Sequence, residues 1–333
     1  MKALVLSDKN QPLVLKDVPD LIPGNDEVIV KIHAAALNHR DLWIQKGQYA
    51  GLKYPIIPGS DGAGIITAAG DRTDQSLVGK EVIIDPALNW GDSPTHQHPK
   101  NFKILGLPND GTFAEYTSVP ANNVFEKPNH LSFEQAAAIP LAGVTAYRAL
   151  FTRGRLHANE KVLITGVGGG VALFALQFAI TANADVYVTS GSQEKLDRAI
   201  AAGATGGVNY KDEDWVERLL EQAGSFDMII DGAAGDNISH LLNLASPGGR
   251  IIFYGATRGN PANIEIRRIF WKQLNVLGST MGSPEDFLAM VSFVNKHRLQ
   301  PIIDKIFPFV DGENALRKMD DAKQFGKLVI KII

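Results

Sequence analysis

Residues 161–182 read KVLITGVGGGVALFALQFAITA. An apolar run enters a turn in which four of the five residues Gly166–Gly170 are glycine, and a long apolar run follows from Val171. Strand, tight turn and helix is the order that a dinucleotide cradle needs. The glycines let the backbone approach a pyrophosphate, and the helix end supplies free N–H donors and the positive end of its dipole. The last small position of the loop is Ala172, where many such loops carry glycine. Downstream, DVYVTS, QEKLDRAIAAG, GGVNY, WVERLLEQAG, FDMIIDGAAG, NISHLLNLA and GRIIFYG alternate short β runs with amphipathic helices. That alternation predicts a parallel, doubly wound sheet.

The residues before this segment have a different texture. Over 1–126, proline, glycine and asparagine interrupt the chain every few residues, between strand-like runs such as Val28–Ile32, Gly64–Ala68 and Lys80–Asp85. This spacing predicts a small, mostly β barrel or sandwich. PGSDGAG at 58–64 competes for the phosphate role, but the IITAAG after it is strand-like. With no helix to follow, it reads as a tight bend between barrel strands. The stretch SFEQAAAIPLAGVTAYRALF from Ser132 reads as helix, broken or kinked near Ile139 by Pro140. GKLVIKII at the end reads as a strand rejoining the first domain's sheet. A length of 333 residues suits two domains. A net charge of -3 gives no reason to expect nucleic acid or an anionic membrane as partner. No apolar run reaches spanning length and MKALVLSDKN lacks a signal peptide's core, so a cytoplasmic location is expected. The chain has no cysteine, which excludes disulfides, thiolate catalysis and metal sites built on sulfur.

KIHAAALNHRDLW (31–43), PGSDGAG (58–64), GTFAEY (111–116), AAIPLAGVTAYRAL (137–150), the loop at 165–172 and FGKLVIKI near the end occur in that order. Through them the chain resembles a member of the medium-chain dehydrogenase/reductase superfamily over essentially its whole length. The resemblance implies an α/β protein with a GroES-like β-barrel catalytic domain (1–126 and 281–333) and a doubly wound Rossmann domain (127–280). In the zinc alcohol dehydrogenases of that superfamily, a cysteine, a His-Glu pair and a second cysteine hold the catalytic zinc. The matching positions here are Asn38, Ser60-Asp61 and Leu141. The resemblance therefore implies an emptied zinc site and no metal, with Asp61 left as a polar residue of the cleft wall. His33, His39, His96 and His98 offer another route to a metal, but catalytic zinc needs three ligands and an open position, and THQHPK reads as a polar surface loop. Residues 87–103 sit where zinc-bearing relatives carry a four-cysteine lobe.

A metal helps alcohol oxidation by stabilising the developing alkoxide. A quinone or α,β-unsaturated carbonyl accepts hydride with only modest hydrogen-bond donors. The resemblance thus points to the zinc-free quinone oxidoreductase branch, with a small electrophile as substrate. Asn38 can present its amide to the nicotinamide or the substrate oxygen, and Tyr49 can donate a proton, although a tyrosine there equally suits packing. Asp61 and Thr145 complete the catalytic set, and Asp41 is expected to anchor local backbone. An NAD enzyme places an acid at the end of its second strand. Here Ser190 stands there, with Asp185 at the strand's other end; Lys195 and Tyr210 match the residues by which zinc-free relatives hold the 2′-phosphate of NADP. The implied NADP(H) contacts are Asn38, Thr145, Gly166, Gly168, Gly169, Gly170, Val171, Ser190, Lys195, Tyr210, Gly255 and Lys327. The loops around Tyr49, Trp90 and Met281 carry no readable substrate code. A homodimer is expected through the sheet edge near GGRIIFYGATRG. Two alternatives stand beside this reading: a zinc-type alcohol dehydrogenase with unorthodox ligands, and a non-catalytic NADPH-binding protein.

Overall fold

The computed structural model describes all 333 residues, and its contacts divide the chain into two units: Met1–Ala142 with Gly282–Ile333, and Gly143–Met281. No helix is long and apolar enough to cross a membrane. Along the first segment run β1 (Lys2–Leu6), β2 (Leu13–Asp17), β3 (Glu27–Ala36), α1 (His39–Gln45), β4 (Asp61–Ala69), β5 (Glu81–Ile84), β6 (Ala87–Leu88), β7 (Lys103–Ile104), β8 (Tyr116–Pro120), β9 (Val124–Glu126) and α2 (Phe133–Ala137). Helix α2 opens with a capping box, Ser132 Oγ accepting the Gln135 N–H and Gln135 Oε1 accepting the Ser132 N–H. It stops at Ala137 as Pro140 requires, and the proline starts α3 (Pro140–Tyr147), where a missing N–H costs nothing.

The second unit carries β10 (Lys161–Ile164), α4 (Gly170–Thr181), β11 (Asp185–Ser190), α5 (Gln193–Ala201), β12 (Gly206–Asn209), α6 (Trp215–Ala223), β13 (Phe226–Asp231), α7 (Ile238–Leu244), β14 (Ala245–Phe253), α8 (Ile266–Trp271) and β15 (Asn275–Gly278). Its six strands lie in the order β12-β11-β10-β13-β14-β15, every pair parallel. The direction of winding reverses at β10, which is the topological switch point of a doubly wound sheet. Val162, Leu163 and Ile164 are fully buried because helices cover both faces of a parallel sheet. Helix α4 is apolar all round for the same reason, burying seven of its twelve residues.

The chain returns to the first unit with α9 (Pro284–His297), β16 (Ile303–Pro308), α10 (Gly312–Asp320) and β17 (Lys327–Lys331). Its sheet reads β16-β17-β3-β4-β5-β9, with β8 also paired to β3; β17 rejoins this sheet as expected, and it pairs antiparallel with β3. Val28, Val30 and Ile32 alternate inward along β3, packing with Leu4, Ile66 and Leu328 in the barrel core.

Three expectations change. Residues 127–142 fall in the first unit, because Lys127 pairs with Glu81 (3.1 Å), Phe133 stacks on His33 (4.2 Å) and Glu134 pairs with Lys331 (3.4 Å). The helical texture begins there, but its packing partner is still the β domain. PGSDGAG bends at Gly59 (φ 98°) and Ser60 alone, and Asp61 already belongs to β4. Gly64 is a strand glycine: a Cβ there would lie 2.0 Å from the Lys31 carbonyl oxygen, beside an irregularity in the β3–β4 register. The GGRIIFYG strand lies second from the edge, so the edge on that side of the six-stranded sheet is β15.

Candidate active site

In the first unit, strands β17 and β4 flank β3, with Val329 and Asp61 both opposite Ala36. This register brings Lys327 and Asp61 together beside Asn38, two residues beyond the end of β3. Asp61 is fully buried, and a lone buried carboxylate would be costly. It is satisfied on both oxygens. Its Oδ2 accepts from Lys327 Nζ (2.9 Å) and Asn38 Nδ2 (2.9 Å), and its Oδ1 accepts the Leu141 N–H (2.8 Å). The Lys327 ammonium spends its other two protons on the Leu37 carbonyl (2.7 Å) and Asn38 Oδ1 (2.7 Å). The Asn38 amide is therefore oriented from both ends, oxygen toward the cation and nitrogen toward the carboxylate. One amide N–H stays uncommitted in this cluster. Lys327, expected among the cofactor contacts, holds Asn38 and Asp61 in register.

Asp41 accepts the Asn38 N–H (2.8 Å), which anchors the backbone as expected. Burial pushes its pKa up to about 6, against the opposing pull of the Arg40 charge. Arg40, which the sequence reading passed over, is itself buried. Its Nη1 donates to Ser60 Oγ (2.6 Å) and the Leu105 carbonyl (2.7 Å), its Nη2 to the carbonyls of Ile104 (3.4 Å) and Leu107 (3.5 Å), and its Nε to the Tyr49 hydroxyl (3.5 Å). All five N–H groups face neutral oxygens, so a fixed positive charge lies beside Ser60 and Tyr49. The guanidinium also lies 5.1 Å from the Tyr49 ring centroid. The "NHRDL" run that supplies Asn38 carried the only signal for it, an arginine two residues on.

These residues do not fit zinc. At the four ligand-matching positions, the Asn38 oxygen and Asp61 are committed to the ammonium, Ser60 Oγ donates to the Leu105 carbonyl (2.8 Å), and the Leu141 side chain has no atom that can ligate a metal. No group of three or more His, Asp or Glu side chains is gathered to hold an ion. Trp90, expected near the substrate, is buried in its own loop, its Nε1 donating to the Ser93 carbonyl (2.9 Å).

The second unit holds the cradle. Gly166 (φ 64°) and Gly168 (φ 134°) take left-handed conformations, and Gly169 caps α4 without a side chain, leaving its first N–H groups open. Thr189, unremarked in the sequence, fixes the turn: its Oγ1 accepts the Gly166 N–H (3.2 Å) and its carbonyl the Val167 N–H (2.8 Å). Ser190 ends β11, with Asp185 at the opposite end. A Cβ on Gly191 would lie 2.7 Å from the Tyr210 hydroxyl, and one on Gly168 would lie 3.4 Å from Lys195 Nζ. Ser190, Lys195 and Tyr210 are thus neighbours around the glycine turn. Gly255 lies across the sheet beside Gly232, whose carbonyl oxygen a Cβ would meet at 2.9 Å. Thr145 is buried on α3 in this unit.

A glycine cradle at the switch point of a doubly wound sheet, with a separate β-barrel unit, defines a two-domain nicotinamide-dependent oxidoreductase. The comparisons agree. The Alcohol dehydrogenase GroES-like domain family matches residues 24–129 and the Zinc-binding dehydrogenase family residues 170–296. The chain is 35% identical to the zinc-type alcohol dehydrogenase-like protein YogA of Leptosphaeria maculans, covering 96% of this chain and 95% of that protein. It is 30% identical to the quinone oxidoreductase of Homo sapiens, over 92% and 90%. The crystal structure of an NAD-dependent alcohol dehydrogenase superposes with TM-score 0.94 at 34% identity, covering 100% of both chains. The chain belongs to the medium-chain dehydrogenase/reductase superfamily.

Proposed function

We propose that this protein is a zinc-independent, NADPH-dependent oxidoreductase that reduces a quinone or an α,β-unsaturated carbonyl. One observation carries the reading: the positions that match the zinc ligands are knitted into the Asn38–Asp61–Lys327 network. When bound, the nicotinamide supplies the hydride. Asn38 offers its remaining amide N–H to the oxygen on which charge develops, and the Arg40 charge favours that charge electrostatically. Tyr49 delivers the proton to the reduced oxygen or carbon. At the other end, Ser190, Lys195 and Tyr210 hold the 2′-phosphate, with no acid at the end of β11 to repel it. The protein acts as a homodimer, which the uncovered edge of the six-stranded sheet supports.

The NAD-dependent name of a structural neighbour favours a second reading, in which the cofactor is NADH. Both readings are tested by steady-state turnover of quinones and 2-alkenals with each cofactor, before and after prolonged chelation. The expected result is NADPH-dependent reduction that survives chelation. A stoichiometric zinc whose removal abolishes turnover would overturn zinc independence, and a higher kcat/KM with NADH would overturn the cofactor assignment.

A further inference from the structure

Tyr210 follows β12, at one end of the six-stranded sheet, whereas Arg258 lies in the loop after β14. That loop is pinned to the end of β13, where the Arg258 N–H donates to the Ala233 carbonyl (2.9 Å) and the Gly235 N–H to the Gly259 carbonyl (2.9 Å). Three strand spacings separate β13 from β12, about 14 Å. Yet the Arg258 guanidinium lies 5.1 Å from the centroid of the Tyr210 ring. The two side chains therefore meet across the carboxyl ends of β10 and β11, over the crevice that holds the glycine turn. Arg258 is exposed, its guanidinium rests on the Tyr210 ring, and it makes no ion pair. An exposed arginine held on a ring, with its fork unspent, is preorganised for a planar, bidentate anion contact.

The other groups at that spot agree in sign. The Tyr210 hydroxyl stands over Gly191, Lys195 Nζ reaches Gly168, and a Cβ on Gly191 would also lie 3.0 Å from Lys211 Cε. Two lysines and one arginine thus converge where β11 ends in Ser190, and the one acid of that strand, Asp185, lies at its other end. We propose that Arg258 is a 2′-phosphate ligand, delivered across the crevice by the loop after β14 and preset on Tyr210. This rests on the NADPH reading above and adds a specificity residue to it. Arg258 makes the adenosine end of the site a clasp with contributions from both halves of the sheet.

Titration calorimetry with two fragments tests it without turnover: 2′,5′-ADP, which carries the phosphate, and 5′-AMP, which lacks it. Wild type is expected to bind 2′,5′-ADP at least tenfold more tightly, with an affinity that falls as salt is raised. Arg258→Ala should cut 2′,5′-ADP affinity by tenfold or more and change 5′-AMP affinity less than twofold. Arg258→Lys, which keeps the charge and loses the fork, should fall between. If Arg258→Ala weakens both fragments equally, the guanidinium stacks on adenine, and the phosphate role is overturned; if it weakens neither, the clasp is overturned. Wild type with no preference for 2′,5′-ADP would instead sink the NADPH reading itself, which separates the two failures. Arg258 is exposed, so the variants test binding without a folding defect.

Discussion

At the scale of single residues, the first unit holds a buried salt bridge between Lys327 and Asp61. Breaking a buried pair by removing one partner leaves the other charge stranded and costs about 3–5 kcal/mol, whereas removing both charges costs far less. Lys327→Met should therefore lower the urea midpoint sharply, and Lys327→Met with Asp61→Asn should recover much of the loss. Equal destabilisation of the single and double variants would show that the pair is not the element that matters. Tyr49 is tested in the same series. If it donates the proton, Tyr49→Phe lowers kcat tenfold or more, about 1.4 kcal/mol or above, and leaves NADPH binding unchanged. Unchanged kcat on several electrophiles would reduce Tyr49 to packing under the Arg40 guanidinium.

Among elements, what was legible in the sequence is what depends on near neighbours. The strand–turn–helix around Gly166, the break before Pro140, and the opposite placement of Asp185 and Ser190 on β11 all follow from local period and turn chemistry. The Lys327–Asp61 bond joins residues 266 apart and depends on β3 having β17 on one side and β4 on the other, which no local pattern encodes. Arg40 was missed because a charged residue on a short helix reads as solvated. The edge strand was misplaced because NVLG at 275–278, which forms β15 beyond β14, was not among the β runs read from the sequence. Its correct position has a consequence. Helix α8 buries none of its residues, and Ile266, Phe270, Trp271 and Val276 on α8 and β15 are exposed. An amphipathic element that leaves an apolar face exposed beside an unpaired strand edge invites a second copy. Sedimentation equilibrium should find a dimer in wild type and a monomer for Val276→Lys combined with Trp271→Asp. A monomeric wild type would sink the dimer.

For the molecule as a whole, the response to pH follows from buried carboxyls held in the wrong charge state. Asp85 is fully buried; its Oδ1 accepts the Ala87 N–H (3.0 Å), and its Oδ2 has no partner. Burial, with a smaller push from Asp286, raises its pKa to about 8, and burial raises that of Asp41 to about 6. Both folded values lie above the ordinary value of 3.8. The sign is therefore fixed. The unfolded chain ionises first, so the stabilising contribution is complete below about pH 4 and is lost as pH rises through the folded values. Both groups contribute to the fall from about pH 4; that of Asp41 levels off just above pH 6 and that of Asp85 just above pH 8. Between pH 7 and 9 a single group with a folded pKa near 8 removes about 1.4 kcal/mol. Thermal melts should show Tm falling across that interval. Asp85→Asn, which keeps the acceptor for the Ala87 N–H and cannot ionise, should flatten the fall and leave the variant more stable relative to wild type at pH 9 than at pH 7. A variant whose Tm tracks wild type in parallel from pH 7 to 9 would place the alkaline sensitivity elsewhere.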